Sequence, residues 1–270
     1  MMHSTVLGKN SGRLKELLRL ARRRHREEED KFIVEGPRLI AEALSAAWPL
    51  EAIYLVPEFR ESGKGKEILA AAREKGLTVY EIAPGALTRV TAVEEPQGVF
   101  AVARVGKTDF RDLIRVSYPL VVVIDGIRDP GNLGTIIRTA QAAGASGALL
   151  LTGSADLYNS KTIRATAGAL FRLPVRQDVG REEALDFIGD TDLKLVVSDP
   201  RGGVPLYKAD LTGPVALVVG GEGEGVSPPV REAASLRVSI PMPGGSESLN
   251  AAVAAALLLY EAVRQRHGFA

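Results

Sequence analysis

Asn132 and Arg138 are the residues whose types and positions first suggest chemistry. They belong to a helix expected to begin in the loop Asp125–Gly134, because Asp129 is a good N-cap and Pro130 suits the first helical position. Asn132 lies in the first turn, near the exposed N–H groups and the positive end of the helix dipole. Arg138 faces away from the apolar side of the helix. Capping explains Asp129 and Pro130 but not these two types, so both are candidates to contact a ligand.

Two later loops carry further candidates. Gly220–Gly225 has four glycines in six residues, which lets a backbone approach a ligand closely. Its spacing matches neither the dinucleotide pattern GxGxxG nor a P-loop, so a nicotinamide enzyme and a P-loop NTPase are poorly supported, although glycine-rich turns alone are common. The loop Ile240–Asn250 leads into an alanine- and leucine-rich helix at Ala251–Arg266. Ser248 or Asn250 can cap that helix, and capping accounts for only one of the two.

Each of these loops follows a strand in the expected architecture. Strand-like runs alternate with helices and are expected at Leu120–Ile124, Ala148–Leu151, Leu193–Ser198 and Val215–Val219. This alternation predicts an α/β fold with a parallel sheet covered by helices on both faces. Ligands of such sheets bind outside the carboxyl ends of the strands. The three loops are therefore where chemistry is expected.

A smaller α/β unit precedes this segment. We expect it to span residues 1–106, followed by a charged linker at 107–117 and the second domain at 118–270. A helical period over 11–28 carries many basic side chains. Such a helix could lie on nucleic-acid phosphates. The acidic run at 27–30 allows the alternative of a solvated helix face.

The composition excludes several kinds of site. The 270 residues contain no cysteine, which rules out disulfides, thiolate zinc sites and a cysteine nucleophile. His3, His25 and His267 lie near the termini, so neither a multi-histidine metal centre nor a Ser-His-Asp triad is expected. No apolar run suggests a membrane span or a signal peptide. We therefore expect a soluble, cytoplasmic protein without a metal; its net charge of +1 says little about partners.

Together, the three loops resemble the motifs of the SpoU (TrmH-like) RNA 2′-O-ribose methyltransferases of the SPOUT superfamily. The matching segments are Asp129–Gly134 with Arg138 for the first motif, Gly220–Gly225 for the second, and Ile240–Met242 with Ser248–Asn250 for the third. One departure is Gly221, where the family often has asparagine. Phe32–Gly36 is similar to members with an L30e-like substrate-binding domain, and Asn159–Val175 also resembles the family, so the resemblance covers nearly the whole chain.

The resemblance implies a fold and a cofactor. The fold is a C-terminal SPOUT-type parallel sheet with a deep trefoil knot, plus an N-terminal L30e-like α/β domain, usually in a homodimer whose site lies near the subunit interface. The cofactor is S-adenosylmethionine, held in a bent conformation by the second and third loops. Its expected binding residues are Gly220, Gly221, Ile240, Met242 and Leu249.

The resemblance also implies roles in catalysis. Arg138 matches the residue proposed in the family to activate the ribose 2′-OH. Arginine is a poor base, with a free pKa above about 12. An alternative role for Arg138 is therefore to bind the adjacent phosphate and to stabilise the developing alkoxide. Asn132 is expected to orient Arg138 and the ribose, and Glu222 to pair with Arg138. Ser248 and Asn250 are expected to bond the ribose or the cofactor.

RNA is the expected partner, and its phosphates are expected to contact both domains. The candidate contacts are Arg22, Arg23, Arg24, Arg38 and Arg164. The resemblance favours 23S ribosomal RNA as substrate, with transfer RNA as an alternative. Two further alternatives are a non-catalytic RNA-binding protein that assists ribosome assembly and a small-molecule enzyme on an ordinary doubly wound sheet. The intact set of polar motif residues argues against the former, and failure to bind S-adenosylmethionine would favour the latter.

Overall fold

The computed structural model describes residues 2–7, 12–91 and 95–268. The strands of these segments are β1 (Met2–Leu7), β2 (Lys31–Glu35), β3 (Leu50–Leu55), β4 (Thr78–Ile82), β5 (Val99–Arg104), β6 (Leu120–Asp125), β7 (Gly147–Leu151), β8 (Val175–Val179), β9 (Lys194–Ser198), β10 (Val204–Pro205), β11 (Val215–Gly220) and β12 (Leu236–Ser239). The helices are α1 (Gly12–Arg19), α2 (Arg23–Glu29), α3 (Pro37–Ser45), α4 (Pro57–Arg60), α5 (Gly63–Glu74), α6 (Pro84–Val90), α7 (Pro130–Ala142), α8 (Ser160–Thr166), α9 (Arg181–Gly189), α10 (Pro228–Glu232) and α11 (Ala251–His267).

The chain forms two compact units. The first unit comprises Met1–Gly106 and Tyr158–Phe171, and the second comprises Lys107–Leu157 and Arg172–Ala270. Tyr158–Phe171 belongs to the first unit, whereas the sequence predicts a contiguous domain over 118–270. Aromatic contacts explain this difference, since the ring centroid of Tyr158 lies 4.5 Å from that of Phe32.

The first unit is a mixed sheet with helices on both faces. Its strands follow the order β1-β4-β3-β5-β2, in which β1, β4 and β3 run parallel and β5 is antiparallel to both of its neighbours. Helices α1 and α6 pack on the face that carries Tyr54 and Phe100. Helices α3 and α5 pack against each other and contact the sheet strands β2, β4 and β5.

The second unit has the parallel sheet that the sequence predicts. Its strands follow the order β10-β12-β9-β11-β6-β7-β8, and every described pair is parallel. Both faces are buried, because β6 and β7 are buried at every position. Helices α9 and α10 contribute to the core on one face, whereas α7 and α11 pack together and contact β7 and β11 respectively. The carboxyl ends of all seven strands therefore lie along one edge.

The segment expected to be a linker is folded into the second unit. Phe110–Ile114 forms a 3₁₀ turn with a capping box between Asp109 and Asp112. Leu113 is fully buried in the core, and Gly147 on β7 leaves room for it, since a Cβ on that glycine would lie 2.3 Å from the Leu113 side chain. The charges of 107–117 are those of a surface turn anchored by one leucine.

The expected basic helix is broken in two. Helix α1 ends at Arg19 and α2 begins at Arg23. Arg26 is buried, and its Nη1 donates hydrogen bonds of 2.8 and 2.9 Å to the carbonyl oxygens of Leu20 and Ala21 at the break. One of the basic residues of this segment therefore closes a turn and does not face solvent.

The longest described helix, α11, has 17 residues, and no described helix has both the length and the apolar character needed to cross a bilayer.

Candidate active site

A cavity of about 580 Å³ lies at the carboxyl ends of β9 and β11 and beside the loop that follows β12. All five residues expected to bind the cofactor line it: Gly220, Gly221, Ile240, Met242 and Leu249. Glu222 and Ser248 also line this cavity. Its volume is in the range of small-molecule sites in proteins. We refer to it as the first cavity.

Two glycines of the loop Gly220–Gly225 have no room for a side chain. A Cβ on Gly220 would lie 2.1 Å from the carbonyl carbon of Gly225, and one on Gly221 would lie 2.6 Å from the carbonyl oxygen of Gly126. Gly223 has no heavy atom within 4 Å of its Cβ position. Glycine is therefore needed at Gly220 and Gly221 because backbone segments meet there.

Three polar residues that are far apart in the sequence meet beside this loop. The Asn132 Nδ2 donates a 2.5 Å hydrogen bond to Glu222 Oε1. The Asn250 Nδ2 lies 3.0 Å from Asn132 Oδ1 and 3.3 Å from Glu222 Oε1, and it donates to both. We call Asn132, Glu222 and Asn250 the polar cluster. Its members come from the first, second and third loops, so the three motifs form one arrangement.

Local structure sets the position of each member. Asp129 caps α7 by accepting a 2.7 Å hydrogen bond from the Asn132 backbone N–H, which fixes Asn132 in the first turn. Asn250 caps α11, since its Oδ1 accepts from the N–H groups of Ala252 and Val253. Asn250 thus caps with its oxygen and joins the polar cluster with its nitrogen. Capping and site formation are not alternatives at this position.

Arg138 lies apart from the polar cluster within the chain. It is exposed, and among the described residues it makes no hydrogen bond or ion pair. The expected ion pair with Glu222 is absent, because Glu222 accepts from the two asparagines instead. Asn132 likewise does not contact Arg138. Ser248 is exposed and lines the first cavity without capping α11.

A second cavity, of about 350 Å³, lies on the other side of the glycine loop. It shares Gly221–Gly225 with the first cavity, and Asn132 and Arg128 are among its other lining residues. Glu222 therefore stands in a wall between two cavities at the strand ends. Arg128 is exposed, which puts a cation at the second cavity.

A buried ion pair anchors the glycine loop, and sequence reasoning missed it. The Asp125 side chain is 1% exposed. It accepts a 3.0 Å hydrogen bond from Arg181 Nη2 and a 2.8 Å hydrogen bond from the Ser227 backbone N–H. These bonds connect the end of β6 to α9 and to Ser227, two residues after the glycine loop. The available signal was an acidic residue that ends an otherwise apolar strand.

Arginines expected to bind RNA differ in their surroundings. Arg23 and Arg24 donate hydrogen bonds of 2.6 and 2.7 Å to Glu27 and Glu28, one helical turn away. The Arg24 guanidinium, followed by His25, holds the pKa of the Glu28 carboxyl below its usual value. The acidic residues 27–30 therefore offset much of the positive charge of α2, which favours the alternative of a solvated helix face.

The positive charges of the other arginines expected to bind RNA are less neutralised by nearby carboxylates. Arg22 and Arg38 are exposed, and neither has an ion-pair partner among the described residues. Arg164 is half-buried, and its Nη1 is buried without a hydrogen-bond partner in the described part of the chain. Arg38 also lines a groove of about 630 Å³ between α3 and α5, together with Lys64 and Lys75.

No group of three or more histidine, aspartate or glutamate side chains with metal-binding geometry occurs in residues 12–91 and 95–268. The chemistry of the two cavities is instead that of amides, glycine backbone, carboxylates and arginine.

Comparison with protein families assigns both units. A model described as the SpoU rRNA Methylase family matches residues 119–260, and one described as the MRM3-like substrate binding domain matches residues 11–101. The first match covers more than half of the chain and includes all three motif loops.

Individual relatives match over nearly their full lengths. The chain is 32% identical over 249 residues to the 23S rRNA (guanosine(2553)-2′-O)-methyltransferase RlmP of Bacillus subtilis (strain 168), covering 92% of this chain and 94% of that protein. It is 35% identical over 254 residues to the 23S rRNA (uridine(2479)-2′-O)-methyltransferase of Streptomyces viridochromogenes, covering 92% and 87%.

Solved structures agree with these relatives. The SpoU methyltransferase AviRb from Streptomyces viridochromogenes, in complex with AdoMet, has a TM-score of 0.87 at 32% identity, over 96% of this chain and 99% of that one. An AdoMet-bound rRNA methyltransferase from Sinorhizobium meliloti has a TM-score of 0.87 at 29% identity, over 100% and 99%. Both similarities span the two units.

Proposed function

The chain belongs to the SpoU rRNA methylase family, and from that premise we propose that it transfers a methyl group from S-adenosylmethionine to a ribose 2′-OH of 23S ribosomal RNA. The observation that carries this proposal is the polar cluster Asn132–Glu222–Asn250 beside the first cavity. A protein that had kept the fold without catalysis would have no need to keep these three side chains joined. A non-catalytic assembly protein is therefore disfavoured.

The first cavity fits the cofactor. Its wall combines the close-packed glycine backbone of Gly220 and Gly221 with the half-buried apolar side chains of Ile240, Met242 and Leu249. Such a surface can take a flat adenine ring and satisfy its edges with backbone groups. When bound, S-adenosylmethionine supplies a methyl group on a positively charged sulfonium, which is already activated for transfer.

The residues of the chain position the ribose and stabilise charge. Asn132 and Asn250 hold Glu222 Oε1, which leaves Oε2 free of protein partners among the described residues. Glu222 borders both cavities, so a nucleoside in the second cavity lies next to the cofactor across this wall. Orientation of this kind can supply most of the rate gain. Arg138 clamps the phosphate next to the target ribose and stabilises the developing alkoxide.

Ribosomal RNA is favoured over transfer RNA as substrate. The two relatives described above are named as 23S rRNA methyltransferases and match over more than 90% of this chain. By contrast, a structure concerned with 2′-OH methylation of tRNA covers 57% of this chain, at a TM-score of 0.52. The N-terminal unit, matched by a substrate-binding domain, supplies RNA contacts through Arg22 and through the groove of Arg38. A cytoplasmic location is part of this proposal, and an rRNA substrate supports it.

The knot, the L30e-like fold of the N-terminal unit and the homodimer complete the proposal. The strand order supports the knot, since the chain passes from β11 across β9 to β12, and the loops that follow β11 and β12 flank the end of β9. An exposed apolar stripe on α11 supports the homodimer: Val253, Leu257 and Tyr260 are 49%, 36% and 52% exposed at helical spacing. Such a stripe suits burial against a second copy. Tyr260→Asp is expected to yield monomers in sedimentation experiments.

Calorimetric titration with S-adenosylhomocysteine tests the cofactor site directly. We expect saturable binding without RNA, lost in Leu249→Arg, which puts a long cation into the first cavity. A matched control is Leu236→Arg, because Leu236 is also half-buried but lies outside that cavity. The second step maps ribose 2′-O-methylation in rRNA treated with the protein and S-adenosylmethionine. Absence of binding, both alone and with bulk rRNA, would contradict the proposal.

A further inference from the structure

Asp199 is a buried acid that none of the roles described so far uses. It directly follows β9, and its side chain is 9% exposed. Its backbone N–H donates a 2.9 Å hydrogen bond to the carbonyl oxygen of Val238 on β12. Because β9 lies between β12 and β11 in the sheet, Asp199 lies between Ile240 and Gly220, which follow or end those two strands. It is also part of the wall of the first cavity.

Only one of its carboxylate oxygens is occupied by the protein. Oδ1 accepts hydrogen bonds from the Arg201 backbone N–H at 3.0 Å and from Arg201 Nε at 3.5 Å. Oδ2 accepts none from the described residues, and it is not sealed off from solvent. The turn that Oδ1 stabilises could be made equally by a neutral asparagine. A buried charge is costly unless it is paired. The Arg201 Nε contact to Oδ1 is such an ion pair, but it is 3.5 Å long and its guanidinium side chain is 67% exposed, so it compensates the carboxylate only in part.

The free oxygen selects a hydrogen-bond donor from the ligand. The cofactor offers three donors: the adenine amino group, the ribose hydroxyls and the α-ammonium. The first cavity also has the exposed acids Glu224 and Glu247 in its wall, where an ammonium can stay hydrated. A sheltered carboxylate at a strand end suits neutral hydroxyl donors, and acids in comparable places of other α/β sheets bind nucleotide ribose hydroxyls.

We propose that Asp199 Oδ2 accepts a hydrogen bond from the ribose hydroxyls of the cofactor and thereby fixes its nucleoside half between Gly220 and Ile240. This inference rests on the proposed function, since it assigns one residue within the same cofactor site. Asp199 is a binding residue in this scheme. The polar cluster lies toward β6 at the other side of the glycine loop, where it would face the methyl-donating half of a cofactor held in this way.

The test combines a variant with a matching change in the ligand. Calorimetry compares S-adenosylhomocysteine with its 2′,3′-dideoxy analogue on the wild-type protein, Asp199→Ala and Asp199→Asn. A hydrogen bond to a charged group is worth about tenfold to hundredfold in affinity. We expect Asp199→Ala to weaken S-adenosylhomocysteine by that factor, while its affinity for the dideoxy analogue changes less than about twofold. Asp199→Asn keeps the turn and is expected to weaken S-adenosylhomocysteine by about half that effect on a logarithmic scale.

Two controls make each outcome decisive. Asp192→Ala removes an exposed acid that precedes β9 and lies outside the cavity, and it should leave both affinities unchanged. An analogue that lacks the α-amino group tests the ammonium. If Asp199→Ala weakened both ribose forms equally, or if its effect vanished only with the deaminated analogue, the assignment to the ribose would be overturned. A wild-type protein that fails to bind S-adenosylhomocysteine would contradict the proposed function itself, an outcome distinct from these.

Discussion

The loop Gly220–Gly225 and the helix α2 are both conspicuous in the sequence, the one for its glycines and the other for its arginines. In the structure the loop is held by residues far away in the chain: Glu222 bonds Asn132 and Asn250, and Asp125 bonds Ser227. Helix α2 is bonded mainly within itself, through Arg23–Glu27 and Arg24–Glu28.

The two segments differ in where their polar groups find hydrogen-bond partners. A run of basic residues next to a run of acidic residues readily forms ion pairs at i,i+4 spacing. Such pairs need no partner from outside the helix, so they do not indicate a site. The backbone N–H and C=O groups of a glycine loop at a strand end cannot find hydrogen-bond partners within the loop in this way. Its backbone needs partners from other loops, and those partners carry the polar side chains. The loop therefore indicates a site, whereas the pairing of the α2 arginines along their own helix favours a solvated surface.

The largest expected effect concerns Arg138, the arginine of the first motif, which lies on α7. Arg138→Ala should lower kcat/KM for rRNA methylation about 10²- to 10³-fold, with S-adenosylhomocysteine binding unchanged, as measured by transfer of a labelled methyl group. Arg111→Ala is the matched control, since Arg111 is an exposed arginine of the same unit. Arg138→Lys keeps the charge but loses the planar fork. Near-normal activity of Arg138→Lys would contradict the phosphate clamp.

The next effect concerns the glycine loop itself. Gly220→Ala should weaken S-adenosylhomocysteine binding about tenfold or more and lower the melting temperature, because its Cβ would lie 2.1 Å from the backbone of Gly225 and the loop would have to move. Gly223→Ala, which meets no atom within 4 Å, should change neither quantity appreciably. Equal behaviour of the two variants in calorimetry and thermal melts would show that the loop is not held as tightly as described.

Much of the second unit could be predicted from its sequence for a physical reason. Parallel strands that are buried on both faces are continuous apolar runs, as in Leu120–Asp125 and Val215–Gly220, and such runs are easy to recognise. β8 was missed because its central positions are polar and only partly buried. Residues 107–117 were predicted as a linker because they are mostly charged. They fold into the second unit because one residue among them, Leu113, is fully buried in its core.

Within the site, identities were easier to predict than contacts. The five cofactor residues were found together in one cavity, since each sits in a motif at a strand end. The predicted pairing of Glu222 with Arg138 was wrong. Whether these two side chains meet depends on how α7 and the glycine loop are placed in space, and the spacing of residues in the sequence does not reveal that. Asp199 was missed because a lone acid after a strand carries no signal until its burial is known.

A smaller effect should appear in RNA affinity. Arg22 is exposed without an ion-pair partner among the described residues, whereas Arg24 is paired with Glu28. Arg22→Ala should reduce the slope of log affinity against log salt by about one, the contribution of one phosphate contact. Arg24→Ala should change it clearly less. Filter binding of rRNA at several salt concentrations measures both, and equal slopes for the two variants would show that pairing does not withdraw Arg24 from RNA.

The smallest effect tests that pairing without RNA. Arg24, followed by His25, lowers the pKa of Glu28 from its usual 4.5. A carboxyl whose pKa is lowered by folding adds stability that is present above its unfolded pKa and is lost as pH falls through the folded value. Arg24→Ala should therefore move the Glu28 pKa upward, as followed by carbon NMR of the glutamate carboxyls. An unchanged Glu28 titration would mean that Arg24 does not pair with Glu28 in solution. The contrast between the ion-paired helix α2 and the glycine loop would then rest on the Arg23–Glu27 pair alone.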